Sequence, residues 1–173
     1  MLILTRGNHQ GLQIGPRWPS STVQLEGQVF QQLRKVQSSL PDTVRLLVTR
    51  GYEHKGSRLG GFRRLSRWLG IRLFVCRYPG RRDEVQDIFG SNGHDVDGTH
   101  VDVSIVLAGK RLRFLPLGVF TSPARQELRK ARHGTLVDEV KSALVRHGFQ
   151  IHRNHTESLQ IHCDYRPDLL AGC

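Results

Sequence analysis

Two segments of the chain concentrate the residue types that hold metal ions. The first runs Ser91-Asn92-Gly93-His94-Asp95-Val96-Asp97-Gly98-Thr99-His100-Val101-Asp102-Val103, and the second runs Glu157-Ser158-Leu159-Gln160-Ile161-His162-Cys163-Asp164-Tyr165-Arg166. A divalent ion such as zinc takes neutral imidazole and carboxylate ligands. A catalytic site uses three of them and leaves a fourth position open to water. His94 in a glycine-rich loop, Asp102 at the start of a strand and His162 on a second strand, remote in sequence but adjacent in a sheet, supply such a set. His100 stands close enough to Asp102 to be an alternative ligand or to support one from behind. Nine histidines in 173 residues also produce His/Asp neighbours by chance. Spacing alone therefore leaves a solvated turn as the competing explanation.

The elements that would position these side chains follow from periodicity. Leu25, Val29, Leu33, Val36 and Leu40 keep helical spacing, and Pro41-Asp42 ends the run. Val44–Thr49 reads as a buried strand, Ser57–Leu69 as a basic helix weakened by Gly60 and Gly61, and Arg72–Arg77 as a strand. Arg82–Phe89 suits one or two helical turns. His100–Leu107 carries β-branched residues at alternate positions, and Ala108-Gly109-Lys110 suits a hairpin turn returning through Arg111–Leu115. Thr135–His147 reads as a helix with a Thr135/Asp138 capping box and a stop at Gly148. Phe149–Ile151 and Ser158–Tyr165 read as strands. Helices and strands mix without regular βαβ alternation, which predicts an α+β fold with a central, mainly antiparallel sheet flanked by helices. The expected organisation is one small domain over residues 24–167, an irregular lead-in over 1–23 packed on it, and a tail over 168–173.

Composition narrows the classes. Hydrophobic residues at 38% and charged residues at 24% describe a globular chain able to build its own core. Three cysteines without a close pair argue against a disulfide framework or a zinc ribbon. No apolar run approaches the roughly 18 residues of a membrane span, and the short Met1–Thr5 stretch lacks the features of a secretory leader. Synthesis in the cytoplasm and a monomer are the default expectations. The net charge of +11 favours polyanionic neighbours. It gathers at Arg63, Arg64, Arg67, Arg72, Arg77, Arg81 and Arg82, and again at Arg125, Arg129, Lys130 and Arg132. Solvated helix faces explain such clusters equally well. Trp68 and Phe74 read as core residues, and His54, His133, His147, His152 and His155 as surface or turn residues. His152 and His155 lie nearest the expected site.

Taken in order, these segments resemble the D-Ala-D-Ala peptidases of the hedgehog/DD-peptidase group. That group's pattern is Ser-x-His-x-x-Gly-x-Ala-x-Asp, followed later by Glu-x-x-His before an aromatic strand. Gly98-Thr99-His100-Val101-Asp102 keeps the Gly-to-Asp spacing, Val44–Tyr52 resembles the strand ending in Gly-Tyr-Arg, and Gly148-Phe149, Glu157, His162 and Tyr165-Arg166 follow in the group's order. The resemblance spans roughly residues 25–167 and implies a zinc peptidase with one ion on His94, Asp102 and His162. It further implies Glu157 as proton acceptor, Ser91 and Tyr165 as substrate contacts, and a D-amino-acid-containing peptide or peptidoglycan stem as substrate. The chain departs from the pattern in four places. One residue is inserted between His94 and Gly98, and His100 replaces a small residue. Glu53 stands where the group has arginine, leaving Arg50 or Arg58 to replace it. Glu157 lies five residues before His162 instead of three, a displacement of roughly 6–7 Å along a strand.

Two further functions compete with hydrolysis. One is a non-catalytic module of the same fold, holding a metal and binding a polyanion through its basic face. The other is nucleic-acid binding, which the chain suits less because it lacks an aromatic-rich RNP-type strand, a Cys/His finger and a recognition helix.

Overall fold

A computed structural model describes residues 1–52, 58–83, 85, 89, 98–112, 123–152 and 160–170. Its framework is a seven-stranded sheet with the order β2-β3-β5-β6-β9-β8 and β7 beside β6. The strands are β2 (Gly7–His9), β3 (Leu12–Ile14), β5 (Val44–Arg50), β6 (His100–Leu107), β7 (Lys110–Arg111), β8 (Phe149–Ile151) and β9 (Gln160–Tyr165). The β3–β5 pair is parallel and every other neighbouring pair antiparallel. A separate two-stranded ribbon pairs β1 (Leu2–Thr5) with β4 (Thr22–Leu25). The α+β expectation holds at this level.

The first 23 residues are not an irregular lead-in. The glycines there punctuate short strands: Gln10 and Gly11, both at positive φ, make a two-residue hairpin between His9 and Leu12. The expected hairpin after β6 uses the same device, with Ala108 and Gly109 both at positive φ between Leu107 and Lys110. Gly51 is required by space. A Cβ there would lie 2.2 Å from the Gln24 carbonyl oxygen, where the Tyr52 N–H bonds the same oxygen at 2.8 Å.

Helices α1 (Gly27–Ser38) and α3 (Pro123–Arg146) give the core Val29, Leu33 and Val36, and Val140, Ala143 and Leu144. The sheet answers with Val44, Leu46 and Val48 of β5, Val101, Val103 and Ile105 of β6, and Ile161 and Cys163 of β9. Buried Gln37 of α1 fastens the first half of β5, beyond its pairing with β3, donating to the Val44 carbonyl at 3.0 Å and accepting from the Leu46 N–H at 2.7 Å.

Three local readings are corrected. Arg72–Arg77 is not a strand, because α2 runs unbroken from Arg58 to Arg77. Thr135 is not a cap: α3 begins twelve residues earlier, at Pro123, whose fixed φ suits a first turn. Trp68 is not core; it is 54% exposed, whereas Phe74 is fully buried. Half of Arg82–Phe89 and most of Arg111–Leu115 lie outside the described residues.

Candidate metal centre

Strand alternation separates the sheet into two chemically different faces. On β6, Val101, Val103 and Ile105 point into the core, so His100, Asp102 and Ser104 share the opposite face. On β9, Ile161, Cys163 and Tyr165 are core residues, which places His162 and Asp164 on that same opposite face. Register then aligns them: Asp102 stands directly across from His162, and His100 across from Asp164. Arg50 joins the row through a bulge. Val48 pairs with Val103 but Arg50 pairs with Asp102, so Thr49 is an extra residue that re-aims Arg50 onto the polar face. The Thr49 hydroxyl donates to the Asp102 main-chain oxygen at 3.2 Å.

The side chains form one connected array. His162 Nδ1 lies 2.5 Å from Asp102 Oδ1, and His100 Nε2 lies 3.2 Å from the same oxygen. The other ring nitrogen of His100, Nδ1, lies 2.8 Å from Asp164 Oδ1. His152 Nε2 lies 2.9 Å from Asp164 Oδ2. Two overlapping groups therefore converge tightly enough for a cation, His100/Asp102/His162 and His100/His152/Asp164, with the ligand atoms of each within 4.8 Å of one another. Either group offers two imidazoles and one carboxylate, a nitrogen–oxygen donor set suited to a borderline first-row ion. A tetrahedral ion with bonds near 2.0–2.1 Å spaces its donors by about 3.3 Å. His100 Nε2 and Asp102 Oδ1 already stand at 3.2 Å.

Burial sets the electrostatics. The side chain of Asp102 is 1% exposed, that of His100 7% and that of His162 25%. Burial by itself pushes the Asp102 carboxyl upward. Hydrogen bonds from His100 and His162, together with the charges of His162 and Arg50, outweigh it and hold the group well below the usual carboxylate range. His100 faces a carboxylate oxygen through each ring nitrogen, Asp164 through Nδ1 and Asp102 through Nε2. On the core face, burial raises the Cys163 thiol well above its ordinary value, reinforced by Asp102 and Asp164.

The expected site residues separate clearly. Asp102 and His162 meet, and Arg50 joins them. His100, expected as an alternative ligand or support, belongs to both groups that could hold a cation. His94, Ser91 and Glu157 lie outside the described residues, as do Glu53 and His155. Tyr165 is elsewhere: it is 5% exposed on the core face of β9, its ring 5.4 Å from Phe149, because its parity is opposite to that of His162. Asp164 and His152 were not expected in the site. The signal for Asp164 is its spacing of two from His162, which on a strand means a shared face. For His152, read as a surface or turn residue, the signal is its nearness to the expected site; it follows β8 and reaches the array by pairing its N–H with the His162 carbonyl.

Comparison with models of protein families, with curated proteins and with solved structures finds no match.

Proposed function

We propose that the chain is a metal-dependent peptidase, with one zinc ion held by Asp102, His162 and His100. The observation that carries the metal is the direct cross-strand pairing of Asp102 with His162, with His100 Nε2 3.2 Å from the shared carboxylate oxygen. The donor set of two imidazoles and one carboxylate supports zinc. Peptide hydrolysis, on a D-amino-acid-containing peptide or peptidoglycan stem, follows from the order of motifs shared with the D-Ala-D-Ala peptidases.

Zinc in such a set supplies Lewis acidity, making water nucleophilic at neutral pH and polarising a carbonyl. The chain's own groups do the rest. Asp102 supplies the anionic ligand and stays ionised because its partners outweigh burial. Asp164 receives the Nδ1–H of His100 and thereby turns Nε2 toward Asp102, and His152 steadies Asp164 from its other oxygen. Glu157 takes a proton from the attacking water and returns it to the leaving amine. Arg50, opposite Asp102, supplies a positive charge on the same face of the sheet.

Metal content of the purified chain and of His162→Ala, His100→Ala and His94→Ala tests the ligand set. One ion per chain is expected, lost in the first two variants. Retention in His100→Ala with loss in His94→Ala would exchange the third ligand. Hydrolysis of a D-Ala-D-Ala peptide tests the reaction, with Glu157→Gln expected to keep the metal and lose about 10²–10⁴ in rate. A metal-holding module without catalysis is the second reading. It is favoured by the deep burial of Asp102 and His100, and a loaded chain inert on that peptide would establish it.

A further inference from the structure

Helix α2 is turned the wrong way round for a core helix. Its less exposed positions, Arg67, Gly70, Ile71, Phe74, Val75 and Tyr78, recur at helical spacing and mark the inward side. The outward side carries Leu65 at 63% exposure, Trp68 at 54%, Leu69 at 51% and Leu73 at 53%. Those four positions also keep a spacing of three or four, so they form one apolar stripe in solvent. Exposed Arg64 and Arg77 flank it, and Arg72 lies within it with its guanidinium over the Trp68 ring at 5.0 Å. The twenty residues Arg58–Arg77 include six arginines and no acidic residue.

We infer that this outward face docks on bilayers bearing anionic headgroups. A helix with an apolar stripe edged by arginines lies in the plane of the membrane interface, burying the stripe at the acyl boundary and leaving the guanidiniums among the phosphates. Tryptophan suits that depth, apolar in its rings and polar at its N–H. The helix does not span: none of the described helices is long and apolar enough to cross a membrane. Nucleic acid would satisfy the arginines but leave three exposed leucines without a partner. A second copy would bring two acid-free arginine faces together. The anionic bilayer answers both features at once, and the net charge of +11 acts in the same direction. This surface is independent of the metal centre.

Trp18→Phe leaves Trp68 as the sole tryptophan of the full chain. With vesicles of phosphatidylcholine and phosphatidylglycerol, this protein is expected to co-sediment, to shift its Trp68 emission to the blue and to be quenched by brominated acyl chains. Vesicles of phosphatidylcholine alone are expected to bind it at least about tenfold more weakly, and added salt to release it. Changing Arg64, Arg72 and Arg77 to Gln removes about fivefold in affinity per arginine. Changing Leu65, Leu69 and Leu73 to Ser abolishes the blue shift while the melting curve stays in place. No preference for phosphatidylglycerol, or tight binding of duplex DNA or RNA with unchanged emission on vesicles, would overturn the inference. So would a concentration-dependent dimer that shields Trp68 without vesicle binding. Should the leucine variant misfold, quenching of the Trp18→Phe protein decides the matter alone.

Discussion

Replacing Asp102 by Asn preserves shape and removes the charge around which the site is built. The carboxylate is 1% exposed and accepts from His162 Nδ1 at 2.5 Å and His100 Nε2 at 3.2 Å, with Arg50 opposite. Hydrogen bonds to a charged group contribute about 1.5–3 kcal/mol each. Two of them give about 3–6 kcal/mol, in line with the roughly 3–5 kcal/mol lost when one partner of a buried ion pair is removed. In a chain of this length each kcal/mol moves the melting temperature by about 2–4 °C, so metal-free Asp102→Asn should melt roughly 6–20 °C below the parent. Adding zinc at about 100 times its dissociation constant should stabilise the parent by about 2.7 kcal/mol. The variant, lacking its anionic ligand, should gain almost nothing. The assay is a pair of thermal melts on chelator-treated protein, with and without the ion. A variant melting within a degree or two of the parent, or one showing the same gain from zinc, would refute the reasoning about this carboxylate.

Three other outcomes are expected. Asp164→Asn, which loosens His100 without touching Asp102 or His162, should weaken zinc about 10–100-fold by calorimetry, with the circular dichroism spectrum unchanged. Gly51→Ala drives a methyl group to 2.2 Å from the Gln24 carbonyl oxygen and 2.6 Å from a Leu25 methyl. It should cost about 1–3 kcal/mol, read as a lower urea midpoint at unchanged slope. Because the Asp102 carboxyl is held below its ordinary range, the stability that it contributes is complete above the unfolded value of about 3.9 and is lost as pH falls below it. The difference between parent and Asp102→Asn in metal-free urea unfolding should therefore stay level from about pH 6 to pH 4 and shrink further down. Zinc affinity should already decline above pH 4, because protons compete with the ion for imidazole ligands.

The strands carrying the site were legible because their chemistry is local. The β-branched alternation of His100–Leu107 marks β6, and Asp102 and His162 each lie on a recognisable strand. Their meeting is non-local, set by a register that only the β6–β9 pairing defines. The partnership of His100 with Asp164 was hidden for the same reason, since 64 residues separate them. Arg50 illustrates a different limit. Regular alternation puts it on the core side of β5, and one extra residue at Thr49 reverses that. Helix α2 misled because its inward side includes Arg67 and Gly70 while leucines face solvent, so hydrophobicity did not mark burial. Between Arg72 and Arg77, alternate apolar residues imitated a strand. At the amino terminus, closely spaced glycines read as an irregular segment, whereas Gly11 closes a tight turn between two three-residue strands.

Cys163 sits between His162 and Asp164 in sequence, sealed on the far side of the same strand with its thiol 3.8 Å from the Val101 carbonyl oxygen. Thiolate is the form that attacks an alkylating reagent, and this sulfur is both enclosed and held toward the protonated form. Cys76, exposed on α2, has no such shelter. The molecule thus contains its own clock. The slow modification of Cys163 counts how often β6 and β9 part, and any ion bridging those two strands should slow it.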